Sequence, residues 1–534
     1  MTAARTTKAN APAKAKAKAA PAKANAPTKA KAKAKAAPVK ASAPAKAKAK
    51  AAPVTANASA KAKAKAAPAK AKTAPAAGRR SSRTDQAAQL RAAAEALLAR
   101  VLARGADSAE VSVGEGRELE VSVREGAPEL VKEAASAGAS VRVMLDGRVA
   151  TSSTTDLRPE ALDRLAAAVV EMASLAEPDP DAAPPPSASL ARTLPDLDLF
   201  DVRVERLDAA KALRMATAGE RAALRADRRI TGTEGASVSR SSGCTAFVTS
   251  GGFVGVRTST YASLAVQVIA DDVDGKKRSG SQWTGARYLE DLDDPAAVGA
   301  DAAARAVRML GARKLETGVV PVVFDRDAAR GLLGRFASVI LGDAIVRHRS
   351  YLVDRIGSAV ASPLVTIVDD PTLPRGPGSR PFDGEGLPVR ARKVVDRGVL
   401  KTYLLDTRSA RRLGLAPTGS AGGGGGVPHA STSNFVLRPG RAGPATLLRG
   451  IERGFYVTKL MGFGFDPVTG TFSQGAEGFR IVGGELAEPV SEVTVSRNFD
   501  ELWRDVDAIA NDIDMRTATS APSLRVAAMT VGGA

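Results

Sequence analysis

The first 84 residues hold 18 lysines, 4 arginines and no aspartate or glutamate, and that one-sided run limits what this part of the chain can become. The segment Ala13-Lys-Ala-Lys-Ala-Lys-Ala-Ala-Pro21 recurs unchanged at 30–38, 45–53 and 60–68, a spacing of 15 to 17 residues. A repeat of that length raises the question of a solenoid, whose units stack by burying apolar side chains on their neighbours. Here no Leu, Ile, Phe or Trp exists to bury. Ala and Lys favour helix, but a proline closes each run and lysines two residues apart repel one another. The pattern predicts a disordered polycationic tail over 1–84. Its candidate nucleic-acid contacts are Lys14, Lys16, Lys18, Lys31, Lys33, Lys35, Lys46, Lys48, Lys50, Lys61, Lys63 and Lys65. Each phosphate neutralised releases a condensed counterion, so such binding would be non-specific and salt-dependent. No aromatic ring is interleaved for base stacking. A solubilising spacer is the alternative reading.

With 22 of the 77 basic residues in the tail, the remaining 450 residues carry 55 basic against 57 acidic side chains, a balance of −2. The body is therefore near neutral, and no argument from a basic protein applies to it. A single cysteine, Cys244, excludes an intramolecular disulfide, a Cys-rich zinc finger and a C-x-x-C redox pair. No run approaches the length of a membrane-spanning helix. Lysines interrupt the alanine run where a secretory signal needs an apolar stretch, and the composition makes a poor transit peptide. These features predict a cytoplasmic protein with no membrane partner.

The body reads as α+β, with mostly antiparallel sheets and flanking helices, in four segments. Residues 85–175 form an N-terminal α+β domain, in which Thr84 or Asp85 caps a helix carrying Leu90, Leu97, Leu98, Val101 and Leu102. Alternating stretches Glu110–Val113 and Glu118–Arg124 follow, then a hairpin at Asp146-Gly147. Asp156, with Pro159 in the first turn, opens a second helix that carries Leu162, Leu165, Val169 and Met172. Residues 176–200 are a Pro-rich linker. Residues 201–316 form a middle α+β domain with a charged helix over 202–226 and short strands at Ala236–Ser241, Thr245–Thr249, Gly252–Ser259 and Leu264–Ala270. An amphipathic helix, Asp294–Leu310, follows. Residues 317–534 form a β-rich C-terminal domain beginning with the strand Val319–Phe324.

Catalytic side chains are scarce. His348 and His429 are the two histidines, and no H-x-x-x-H pair exists to grip zinc from one helix face. Cys244 with these histidines is a conceivable nucleophile or metal set, against the plainer reading of a small buried side chain. Gly422–Gly426 lacks the Lys-Ser/Thr of a phosphate loop and reads as a flap or hinge. Asp369, Asp370, Asp383 and Glu385 are the best carboxylate cluster. They offer oxygens to a hard cation, or cap their own turns, as Asp-Asp-Pro and Asp-Gly commonly do.

The motifs Val360-Ala-Ser-Pro-Leu-Val-Thr-Ile-Val-Asp-Asp-Pro371 and Gly378-Ser-Arg-Pro-Phe-Asp-Gly-Glu-Gly386 resemble the TldD/PmbA family. So do Gly398-Val-Leu-Lys-Thr-Tyr-Leu-Leu-Asp406, Leu415-Ala-Pro-Thr-Gly419, Asp466-Pro-Val-Thr-Gly470 and Met529-Thr-Val-Gly-Gly533. The resemblance covers the chain from about 86 to 534, and the tail lies outside it. It implies a cytoplasmic heterodimeric zinc metalloprotease, built from a TldD and a TldE (PmbA) subunit, that acts on small and unstructured peptides. In the TldD subunit, H-E-x-x-x-H on a helix and a downstream Cys hold the zinc. The matching helix here reads Leu333-Gly-Arg-Phe-Ala-Ser338, so Leu333, Gly334 and Ser338 stand at those positions. The downstream Cys is missing as well.

The resemblance thus implies a non-catalytic TldE/PmbA-like subunit with no metal of its own, a TldD-like partner that carries the zinc, and a peptide substrate. Asp369, Asp370, Asp383, Glu385 and Asp466 are then structural or channel residues. Zinc lowers the pKa of bound water and a neighbouring Glu moves the proton, and Leu, Gly and Ser do neither. One competing reading is a DNA-associated adaptor tethered through the basic tail. Another is a stand-alone enzyme using Asp369, Asp383 and Glu385 on a different metal.

Overall fold

The computed structural model describes residues 83–424 and 426–533, the side chain of Asp274 aside; the tail reading over 1–82 and its lysines lies outside the described residues. Helix α1 (Arg83–Leu102) buries Leu90, Ala94, Leu97 and Val101, one helical face. It already contains Thr84 and Asp85, so neither precedes it as a cap.

Strands β1 (Ser108–Arg124) and β2 (Ala127–Leu145) form one long hairpin that turns at Glu125-Gly126, where φ is 52° and 77°. The two short stretches expected around Gly114 and Gly116 are therefore one strand. Asp146 and Gly147 turn β2 into β3 (Arg148–Thr154) with φ of 50° and 70°, the left-handed pair a two-residue hairpin requires. Helix α2 (Pro159–Leu175) buries Leu162, Leu165 and Val169, but Met172 faces solvent and Ala173 takes the core position.

The single helix expected over 202–226 is broken. α3 (Val202–Glu205) stops, Leu207 is buried, and the Asp208 carboxylate accepts the Lys211 N–H at 2.7 Å to start α4 (Ala209–Ala226). The four expected short strands merge into β4 (Ile230–Thr249) and β5 (Val254–Asp271); β6 (Lys277–Ala286) and α5 (Pro295–Val307), capped by Asp294, complete the segment. β1 pairs with β4 from Glu110 opposite Thr249 to Val123 opposite Ala236. The segments 85–175 and 201–316 thus share one six-stranded antiparallel sheet, ordered β3-β2-β1-β4-β5-β6. One face of it is apolar. Val111 and Val113 pack with α1 and α2, and Leu119, Val121 and Val123 pack with α4 and α5.

The C-terminal region runs β7 (Gly318–Phe324), α6 (Arg326–Val339), α7 (Gly342–Val346), β8 (Ile367–Asp369), β9 (Arg392–Asp396), β10 (Val399–Leu400) and α8 (Thr407–Arg412). It continues with β11 (Ala421–Gly422), β12 (His429–Ala430), β13 (Phe435–Leu437), β14 (Arg453–Met461), β15 (Thr471–Val482) and β16 (Glu485–Asn498). The last elements are α9 (Phe499–Arg504), β17 (Val506–Ile509), β18 (Thr519–Ser520) and β19 (Leu524–Gly532). Strands β16-β15-β14-β7-β19 close back onto β16, and β17 adds to β19. Only the β7–β14 joint of this ring is parallel. A second, five-stranded sheet is ordered β10-β9-β8-β13-β18. Phe336, Phe472, Phe499 and Trp503 form the aromatic centre between the ring, α6 and α9, with Phe336 and Trp503 centroids 5.4 Å apart. The fold is α+β with mostly antiparallel sheets, as the sequence indicates.

The proline-rich stretch 176–200 is strapped to the C-terminal region. Arg412 meets Asp181 at 2.8 Å, Arg408 pairs with Asp179, and Arg411 donates to the carbonyls of Asp181 and Pro184. Leu190 joins Phe247, Phe253 and Phe382 in a small apolar cluster.

Candidate functional site

The sheet face opposite the helices is polar and partly roofed by the C-terminal region. Glu110, on that face of β1, is buried and holds the buried Arg142 of β2 at 3.1 Å. Burial pushes the Glu110 carboxyl up, Arg142 opposes this, and Asp383 adds to it. Asp383 is fixed by three backbone N–H donors, from Glu385 at 2.9 Å, Leu387 at 2.8 Å and Ala421 at 3.1 Å. Glu385 accepts from the Thr407 N–H at 2.8 Å and the Thr407 hydroxyl at 2.7 Å, at the start of α8. Burial, with Asp383 nearby, raises the Glu385 carboxyl to about 8. Three carboxyls thus meet where the sheet joins the C-terminal region.

The other acidic candidates are elsewhere. Asp369, at the end of β8, is buried and accepts the Ser433 N–H at 2.7 Å; burial raises its carboxyl. Asp370 caps its own turn by accepting the Thr372 N–H at 2.8 Å and the Thr372 hydroxyl at 2.6 Å. Asp466 does the same with the Val468 N–H at 2.9 Å. Each of these carboxylates is engaged by backbone or hydroxyl donors. Among the described residues, no three His, Cys, Asp or Glu side chains come together in a way that could hold a metal ion.

Helix α6 starts at Asp325, which accepts the Ala328 N–H at 2.8 Å; burial raises its carboxyl to about 7. Leu333 lies wholly inside the main core with Leu332 and Phe336. Gly334 is exposed with open space where a Cβ would project. Ser338 is exposed and donates its hydroxyl to the carbonyl of Arg335, one turn back. Cys244 is buried under the sheet, where desolvation raises its thiol. His348 and His429 are both exposed. The glycine run opens from a two-strand pairing, Gly422 opposite His429, with φ of 78° at Gly423.

The family model described as "PmbA/TldA metallopeptidase C-terminal domain" matches residues 317–533; those for domain 1 and the central domain match 109–173 and 203–310. The metalloprotease PmbA of Escherichia coli O157:H7 is 35% identical over 427 residues, 80% of this chain and 92% of that protein. The chain belongs to the TldD/PmbA family. A Bacteroides thetaiotaomicron crystal structure described as a modulator of DNA gyrase superposes with a TM-score of 0.78 at 28% identity, covering 83% of this chain and 98% of that one. TldE from Thermococcus kodakarensis, at 20% identity and TM-score 0.74 over 83% of this chain and 100% of that one, shares the fold.

Within the TldD/PmbA frame, the donor set on α6 does not suit a metal. A zinc ligand must be a Cys, His or carboxylate. Leu333 has none of these groups and points into the core, Gly334 has no side chain, and the Ser338 hydroxyl is turned onto its own helix.

Sequence reasoning overlooked the cations of this face. Arg257 of β5, Arg287 and Arg380 stand near one another, and each loses part of its basicity through desolvation. The signal was present in Arg257, a lone charge in a strand of Val, Thr and Ser. Glu110 was likewise read as one alternating polar residue, because its burial comes from a distant segment.

Proposed function

We propose that this chain is the metal-free, TldE/PmbA-like subunit of a two-chain cytoplasmic zinc peptidase, pairing with a TldD-like chain and helping to enclose small or unfolded peptides. The observation that carries this reading is the state of α6, where the three positions of the zinc motif are a core leucine, an open glycine and a self-bonded serine. A second feature supports the peptide part. β3 covers β2 only at Ala139–Leu145, so Ala127–Gly138 has no strand on its outer side among the described residues. A free edge of that length can add an extended peptide by main-chain hydrogen bonds, which would favour unfolded clients. The membrane is no part of the reading; among the described residues no helix is long and apolar enough to cross one. The DNA-adaptor alternative has the charge of the tail as its support.

The test is peptide hydrolysis by the purified chain, by a TldD-like chain and by their mixture, on a disordered reporter peptide. The reading expects no zinc-dependent cleavage by this chain alone and a gain in the mixture over the TldD-like chain alone. Robust zinc-dependent cleavage by this chain alone would overturn it.

A further inference from the structure

On the polar face of the sheet, Gly138, Gly114, Thr245 and Arg257 lie side by side across β2, β1, β4 and β5. The next row reads Ser136, Gly116, Gly243 and Ser259. All of these except Arg257 floor an open groove of about 930 Å³. Four strands spaced about 4.8 Å apart span roughly 14 Å, enough for about four residues of extended chain at ~3.3 Å each. The groove shares Ser112 and Thr245 with a smaller recess of about 90 Å³, closed by Phe247, Phe382, the Gly422–Gly424 backbone, Arg257 and Arg380.

Of the two cations in that recess, Arg380 has the carboxyls of Asp369 and Asp383 nearby, whereas the charged group beside Arg257 is Arg380 itself. Among the described residues Arg257, which lines the recess, makes no hydrogen bond and no ion pair. Arg380 donates to the Ser431 hydroxyl at 3.0 Å and to the Ser431 carbonyl at 3.4 Å, and its Nε is buried without a partner. Arg287, the third cation in the series, spends its guanidinium on the carbonyls of Gly376 at 2.9 Å and Pro377 at 2.8 Å. Asp383 is the one carboxylate lining the recess, and its oxygens are occupied by the three backbone donors named above. Arg257 borders the recess with an exposed side chain that has no protein partner among the described residues, and beside it the buried Nε of Arg380 has none, so the two guanidiniums offer free donors to an anion. Desolvation and Arg380 both hold Arg257 below the usual arginine range, in keeping with that geometry.

We infer that Arg257 and Arg380 form a carboxylate-binding pocket at the closed end of the groove, anchoring an extended peptide by its carboxylate. A planar carboxylate suits a bidentate guanidinium contact. The inference rests on the peptide-binding reading above and adds to it which end or side group of the peptide is gripped. A terminal carboxylate and an acidic side chain share this chemistry, and the groove leads to the recess for either.

Fluorescence anisotropy on the full chain tests it with three probes of one sequence: an N-terminally labelled penta-alanine acid, its C-terminal amide, and an amide whose last residue is Glu. The acid should bind at least about tenfold more tightly than the alanine amide. The Glu amide matching the acid would mean that any carboxylate is accepted, and matching the alanine amide would mean that the chain terminus is read. Arg257→Gln should bring the acid down to the affinity of the alanine amide and leave that amide unchanged. Equal binding of all three probes to the natural chain would overturn the carboxylate pocket while leaving peptide binding standing. No binding of any probe would overturn both readings. The comparison of probes on the natural chain needs no variant to fold, and an Arg257→Gln chain that melts normally yet keeps its preference for the acid would also overturn the inference.

Discussion

Helix α6 turns Leu332, Leu333 and Phe336 into a core without solvent, while the groove floor carries Gly114, Gly116 and Thr245 on a face open to it. Both regions belong to the same compact body, and both lie in segments the family models match. They treat polar chemistry in opposite ways. In α6, Leu333 is a core residue, while Gly334 and Ser338 are exposed. Around the groove, the carboxyls of Glu110, Asp383 and Glu385 are buried where apolar packing would be more stable, and Arg257 has no protein partner among the described residues. Buried carboxyls cluster in the second region, whereas no metal-ligating side chain stands at Leu333, Gly334 or Ser338 of the first.

The sharpest way to break this contrast is to disturb α6. Leu333→Ala should destabilise the body by roughly 2–5 kcal/mol, as expected for a fully buried leucine, measured by urea unfolding. Writing His, Glu and His into positions 333, 334 and 338 should lower stability further and still capture no zinc, because the first of them points into the core. A loss below about 1 kcal/mol for Leu333→Ala would mean that α6 is not the packing element described here.

The next effect concerns pH. The folded protein keeps the Glu385 proton up to about 8, while the unfolded chain releases it near the ordinary glutamate value of 4.5. Between those values the folded state binds more protons, so its stability is full at the acid end and falls as pH rises toward 8. Asp325, raised to about 7, acts in the same direction. Glu385→Gln should flatten the fall while keeping an acceptor for Thr407. Urea midpoints between pH 5 and 8.5 measure it, and a natural chain that gains stability with pH over that window would contradict the account.

Smaller still is Gly334→Ala. The position is helical, exposed and open around its missing Cβ, so the substitution should stabilise by roughly 0.5–1 kcal/mol. Removing residues 1–82 should leave the melting temperature unchanged and abolish salt-sensitive retention on heparin, since the body has no comparable excess of positive charge.

Local chemistry was readable in the sequence wherever neighbours in the chain decide the outcome. Asp146-Gly147 announced its hairpin, and Pro159 and Asp294 announced helix starts. The strands β1, β4 and β5 were read as fragments because Gly, Ser and Thr look like breaks; in the sheet those residues line a groove, and partner strands on both sides of each continue the ladder. The turn at Glu125-Gly126 and the break at Leu207 were missed for a related reason, since each is fixed by distant groups. Glu220 of α4 accepts the N–H of Glu125 at 2.9 Å, and Leu207 is held in the core beneath the sheet. The approach of Asp383 to Glu110, and of Arg380 to Arg257, joins residues more than a hundred positions apart that no local pattern brings together.

The most direct test of the central claim is the zinc content of the purified chain, measured by inductively coupled plasma mass spectrometry after dialysis from excess zinc, alone and in complex with a TldD-like chain. The account predicts no stoichiometric metal on this chain alone and one zinc per complex. One tightly held zinc on the isolated chain would contradict it.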